Sequence, residues 1–140
     1  MINNSKLKII FIISLIFITF VGCEDDDNWI PYVRVDQTIS LNRLANLGHL
    51  QAKYMSGGVN GIIIFRTADK QFNAFDRTCP YQPSADCAVD FDDEILVAVC
   101  PCCESQFELF EAGAVQKGPA RRPLRQYRAV IHGIYLRITN

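Results

Sequence analysis

The chain has 140 residues, a formal net charge of −1 at pH 7, 49% hydrophobic residues and 21% charged residues. This is enough for one domain with a modest core. The charge balance lacks the basic footprint of a nucleic-acid binder, and the sequence contains no glycine-rich phosphate loop.

The amino terminus carries Lys6 and Lys8 as its first charges, then an apolar run from Ile9 to Val21 broken only by Ser14 and Thr19. Those thirteen residues fall short of the roughly 20 that a helix needs to cross a bilayer core. A basic start and a short apolar run that end in small residues describe a secretory signal peptide over residues 1–22. The competing reading is an uncleaved helical anchor. Phe20-Val21-Gly22-Cys23 resembles a lipobox, which implies cleavage before Cys23 and lipid on its sulfur. Glu24-Asp25-Asp26-Asp27 cannot pack in a core, so residues 23–30 read as a solvated tether. An acidic run at that place is similar to the surface-export signal of Bacteroidota lipoproteins. The expected location is therefore the bacterial cell envelope, as an outer-membrane lipoprotein displayed at the surface, with the membrane as its first partner. Without residues 1–22 the chain keeps 118 residues and a net charge of −3.

Residues 31–140 form one domain. Tyr32 to Asp36 alternates with period two, as a half-buried strand does. Leu41, Leu44, Leu47 and Leu50 recur every third residue, which suggests a short helical turn or an irregular segment. Gly57-Gly58 signals a turn. Ile62-Ile63-Ile64-Phe65 reads as a strand buried on both faces, and Ala68-Asp69-Lys70 turns it into the alternating strand Gln71 to Phe75. Ile95 to Val99 is a further strand, preceded by Asp90, Asp92, Asp93 and Glu94 as a solvated turn. Phe107 to Phe110 and Ala114-Val115 form a hairpin turning near Gly113. Tyr127 to Ile131 and Ile134 to Ile138 flank a tight turn at His132-Gly133. Many short strands with close turns give an all-β fold, a small antiparallel sandwich or barrel.

Five cysteines besides Cys23 lie between positions 79 and 103, in two segments that each come after a strand. In an exported protein such a cluster means disulfides first and metal second. Its surroundings resemble a known family. Ala74-Phe75-Asp76-Arg77-Thr78-Cys79-Pro80-Tyr81 resembles the first cluster-binding box of Rieske iron–sulfur proteins, Cys-x-His after a strand. Cys100-Pro101-Cys102-Cys103-Glu104-Ser105-Gln106-Phe107 resembles the second, Cys-Pro-x-His-Gly-Ser. The run Gly113-Ala114-Val115, Lys117-Gly118-Pro119-Ala120 and Arg122-Pro123-Leu124 to Tyr127 is similar to the family's segment after the second box, in which a Gly-Pro turn shields the cluster.

The resemblance implies a small Rieske-like β fold with two cysteine-bearing loops, and Gly118 and Pro119 as the shielding turn. A Rieske centre holds one iron by two cysteines and the other by two histidines. Cys79 and Cys100 match the thiolates, but Tyr81 and Cys103 stand where the histidines should be, and Glu104 replaces a glycine. His49 and His132, the chain's two histidines, lie outside both boxes. This leaves two outcomes. A [2Fe–2S] cluster persists, with Cys103 and one of Tyr81, Cys87 or Cys102 as substitute ligands, serving one-electron transfer to a redox partner. Alternatively the cluster is lost and the fold is a disulfide-stapled binding or structural module at the cell surface, with a surface protein as its partner. For this second outcome the resemblance implies a Cys87–Cys102 bridge, and in neither outcome is enzymatic activity of the domain's own expected. Arg121, Arg122, Arg125 and Arg128 read as a solvated basic face beside the shielding turn.

Overall fold

The computed structural model describes residues 30–140; the expected signal peptide, Cys23 and the acidic run after it lie outside them. Ten strands and one short helix succeed one another: β1 Asp36–Ser40, α1 Leu41–Leu44, β2 Ala52–Met55, β3 Ile62–Ala68, β4 Gln71–Asp76, β5 Asp90–Asp92, β6 Val97–Val99, β7 Gln106–Glu108, β8 Val115–Lys117, β9 Gln126–His132 and β10 Tyr135–Thr139, with a 3₁₀ turn at Ala85–Cys87 before β5. Among the described residues no helix is long and apolar enough to cross a membrane.

The strands form two antiparallel sheets. One has the order β1-β10-β9-β4-β3-β2 and the other β5-β6-β7-β8. The central hairpin explains why. Ile62, Ile63, Ile64 and Phe65 on β3 are all fully buried. Period-two alternation sends Ile63 and Phe65 into one core and Ile62 and Ile64 into another. The first core lies against the smaller sheet, where Phe65 packs on Phe91 and edge-on to Phe110, with ring centroids 5.5 and 5.1 Å away. The second lies under β1, β9 and β10 and is filled by Ile39, Leu44, Leu136 and Ile138.

Polar contacts tie the sheets together. Asn73 on β4 donates to the Leu109 and Phe110 carbonyls at 2.9 and 2.7 Å. The Phe91 N–H donates to the Tyr54 hydroxyl at 2.8 Å. Arg77 lies 4.3 Å over the Tyr54 ring and pairs with Asp90.

Several elements differ from the sequence reading. Tyr32 to Val35 stands outside the ladder. Pairing begins at Asp36 because its partner, Thr139, ends β10, and the Asn140 side chain takes over by bonding Val33 and Val35. The strand expected from Ile95 starts only at Val97, since residues 93–96 form the turn and Leu96 has φ 59°. The acidic stretch is not wholly a turn, because Asp90 and Asp92 belong to β5. The last hairpin pairs His132 with Tyr135, so its loop is Gly133-Ile134, one residue later than expected. β2 had no signal in the sequence reading.

One buried carboxylate sets the end of β4. Asp76 is fully buried and accepts from the Tyr127 hydroxyl at 2.6 Å, the Val59 N–H at 2.7 Å and the Thr78 N–H at 2.8 Å, with the Thr78 hydroxyl as a further donor. A buried group left without its partner costs about 1–3 kcal/mol. Asp76→Ala orphans several at once, so it is expected to destabilise the domain by about 3 kcal/mol or more. The measurement is urea unfolding, with a lower midpoint at unchanged slope; Asp76→Asn, which keeps an acceptor oxygen, should lose less.

Candidate metal centre

Two loops carry the sulfurs. The first leaves β4 at Arg77, whose N–H donates to Gly61 O at 3.0 Å, while its carbonyl accepts from the Val89 N–H at 2.7 Å. Thr78 then bridges to Ala88 across the loop base. The second loop joins β6 to β7 and closes on itself: Cys100 N–H donates to Ser105 O, and Glu104 N–H to Cys100 O, each at 2.9 Å. A disulfide between Cys87 and Cys102, with Cα atoms 5.5 Å apart, staples the loops across a sequence separation of 15. A bridge of that span contributes about 3 kcal/mol through the unfolded state.

The staple brings three other thiols together. The sulfurs of Cys79, Cys100 and Cys103 all lie within 4.8 Å of one another, a group able to hold a metal ion. Cys79 and Cys103 are 3.6 Å apart and unbonded. Cys79 and Cys100 are fully buried in the inter-sheet core, and Cys103 is half-buried at its edge. Burial pushes the Cys79 thiol up to about 12, helped by contacts with Cys100 and Cys103 and opposed by the N–H groups of Tyr81 and Gln82. At Cys103 burial also acts upward, but hydrogen bonding with the Ser105 hydroxyl, the Ser105 N–H and the Cys100 and Cys79 sulfurs outweighs it and holds the thiol below its usual range.

Ser105 is the support that the sequence reading did not single out. Its hydroxyl is fully buried, 3.1 Å from Cys103 Sγ, and accepts from the Ala120 N–H at 3.1 Å. Gly118, at φ 100°, packs on it so closely that an added Cβ would stand 2.5 Å from Ser105 Cα. The Gly118-Pro119 turn thus covers the second loop. Beside it an open cleft of about 580 Å³ is walled by Pro80, Tyr81, Gly118, Pro119, Arg121 and Arg122.

A family profile described as Rieske [2Fe-2S] domain matches residues 39–128. The chain belongs to that family. Two solved Rieske-type structures share its fold. The cyanobacterial plasma membrane Rieske protein PetC3 from Synechocystis PCC 6803 is 23% identical with a TM-score of 0.58, over 78% of this chain and 100% of its own. The ferredoxin of carbazole 1,9a-dioxygenase from Nocardioides aromaticivorans IC177 is 19% identical with a TM-score of 0.55, over 77% and 98%. No curated protein sequence matches the chain.

As a Rieske domain it lacks the family's histidine pair. Tyr81 is 50% exposed on the cleft wall, and His49 and His132 are exposed elsewhere. The residues present do not fit a two-cysteine, two-histidine centre. They do fit a cation held by sulfur, because three thiols converge and N–H donors aim at them. Of the basic face, Arg121 and Arg128 are exposed, whereas Arg125 is a structural residue that donates to the Ile30 and Pro31 carbonyls. Ile30 itself is buried.

Glu104 occupies the family's glycine position with φ 58° and an exposed side chain. Left-handed backbone costs an L-residue about 1–2 kcal/mol, part of which glycine returns as unfolded-chain entropy. Glu104→Gly is therefore expected to stabilise the domain by about 1 kcal/mol, read as a raised urea midpoint.

The thiols also predict a pH dependence. Between the ordinary value of 9.0 and about 12, folded Cys79 keeps a proton that the unfolded chain has released. Unfolding then releases protons, and stability falls as pH rises. Tyr127, raised by burial and by Asp76, acts in the same direction at higher pH. Cys103 acts oppositely: its contribution is present above 9.0 and is lost as pH falls through its lowered value. With the thiols free of metal, the urea midpoint should drop as pH is raised from 9.0 toward 12, and less steeply in Tyr127→Phe.

Proposed function

We propose that this Rieske domain is a one-electron carrier in which the thiolates of Cys79, Cys100 and Cys103 hold iron, anchored to the envelope membrane by lipid on Cys23. The observation that carries the reading is the convergence of three unbonded thiols on the family's cluster position. Bound iron supplies one-electron redox chemistry. The chain's own residues do the rest. The inter-sheet core excludes water from Cys79 and Cys100, and the N–H groups of Tyr81, Gln82 and Ser105 favour the thiolate form. Thiolate in place of neutral imidazole adds negative charge, which favours the oxidised state and puts the potential below that of a histidine-ligated centre. Exposed Arg121, beside the covering turn, offers positive charge to steer an acidic redox partner.

The Cys87–Cys102 staple favours a second reading, a metal-free binding module whose loops are held by the disulfide alone. Purification of the chain under anaerobic conditions separates the two. A carrier retains iron, bleaches with dithionite and recolours on reoxidation, and Cys79→Ser loses the colour. A colourless chain without iron, its Cys87–Cys102 bridge intact, would establish the module instead.

A further inference from the structure

We infer that Cys79, Cys100 and Cys103 form a site for a single metal ion, not for a two-iron cluster, with the fourth coordination position open toward solvent. The inference rests on the reading that these thiolates hold iron, and it changes what kind of centre they build.

Distance is the first argument. Metal–sulfur bonds of about 2.3 Å at tetrahedral angles set ligand sulfurs about 3.8 Å apart. Here all three sulfurs lie within 4.8 Å of one another, and the Cys79–Cys103 separation is 3.6 Å. A two-iron cluster needs its ligands in two pairs, one on each iron, with the sulfide-bridged core between them. By position in the boxes, Cys79 belongs to one iron and Cys103 to the other, yet their sulfurs are in contact. Nor are they a bridge: Cys79 and Cys103 are both free thiols.

The loops also resist parting. The Cys87–Cys102 staple ties them together. Cys100 N–H and Ser105 O close the second loop, the Ser105 hydroxyl is held by Ala120, and Gly118 packs against the Ser105 backbone. Opening a gap for a bridged core would strip Cys79 and Cys100 from a core in which both are fully buried.

Ligand number agrees. Among the described residues no fourth histidine, cysteine or carboxylate joins the group. Three protein ligands with an open fourth position is the pattern of reactive single-metal sites, whereas a two-iron centre would be short of ligands. Cys103 is the sulfur of the three that reaches solvent, so the open position faces outward and takes a solvent molecule or small anion.

The test uses the full chain, loaded anaerobically with iron or, as a probe of geometry, with Co²⁺. The expected result is one ion per chain by native mass spectrometry, no acid-labile sulfide, and loss of alkylation at all three free cysteines until a chelator removes the ion. The iron form gives an EPR signal when oxidised that disappears on reduction, and the Co²⁺ form shows tetrahedral thiolate bands. Cys103→Ser lowers Co²⁺ affinity by more than the about 100-fold that is the upper end of what a merely supporting group is worth. Paired irons with equal sulfide, EPR-silent when oxidised and active when reduced, overturn the single-ion site and leave the iron carrier standing. Failure to retain any ion, or a Cys79–Cys103 disulfide in peptide maps, overturns both.

Discussion

The carboxylate of Asp76 is the point on which both the sheet and the site depend. It sits at the end of β4, where the chain must leave the ladder with its backbone donors unpaired. A buried N–H without a partner is costly. Asp76 answers several at once: it holds the segment before β3 through Val59, the first loop through Thr78, and β9 through Tyr127. Cys79 is the next residue after Thr78. The place at which the first thiol enters the core is therefore set by a carboxylate that touches no sulfur.

From that point the two loops are built to different standards. The inner half is packed. Cys79, Cys87 and Cys100 share one core with Phe75, Phe107 and Leu124, where they pack as small apolar residues. The outer half is loose. Tyr81, Cys102 and Glu104 are exposed, and Cys103 is half-buried. A volume change at an inner position opens a cavity or strains the core. A change at an outer position meets solvent and costs little beyond its own conformation, as Glu104 does with its left-handed backbone.

The same physics decides how much of this was legible in the sequence. β3 was readable because Ile62 to Phe65 are buried on both faces, and β4 because Gln71 to Phe75 alternates apolar with polar residues. β2 was not, because its residues are only partly covered and Ala52-Lys53-Tyr54-Met55 has no clean alternation. The start of β1 was misplaced because pairing depends on where β10 ends, which no local pattern reports. The boxes gave the order of the sulfurs and the loss of both histidines. They did not give the contact between Cys79 and Cys103, since sequence position assigns those residues to opposite irons. Ser105 was visible as part of the second box, but its work depends on Gly118 and Ala120, a loop away.

The replaced ligands fall where the packing argument allows them. The family's two cysteines correspond to Cys79 and Cys100, both sealed in the core. The two histidine positions, Tyr81 and Cys103, both lie at the solvent edge. The fold thus constrains the two cysteine positions through its core and leaves the other two to whatever chemistry meets them at the surface. Once that chemistry changes, the outer pair is free to change with it while strands, staple and covering turn stay as they are. Cys103 then gains what an imidazole there would not, because a sulfur on a short side chain can turn inward to meet Cys79 and be steadied by the Ser105 hydroxyl. The Rieske scaffold in this chain is best understood as two rigid cysteine positions with a replaceable rim.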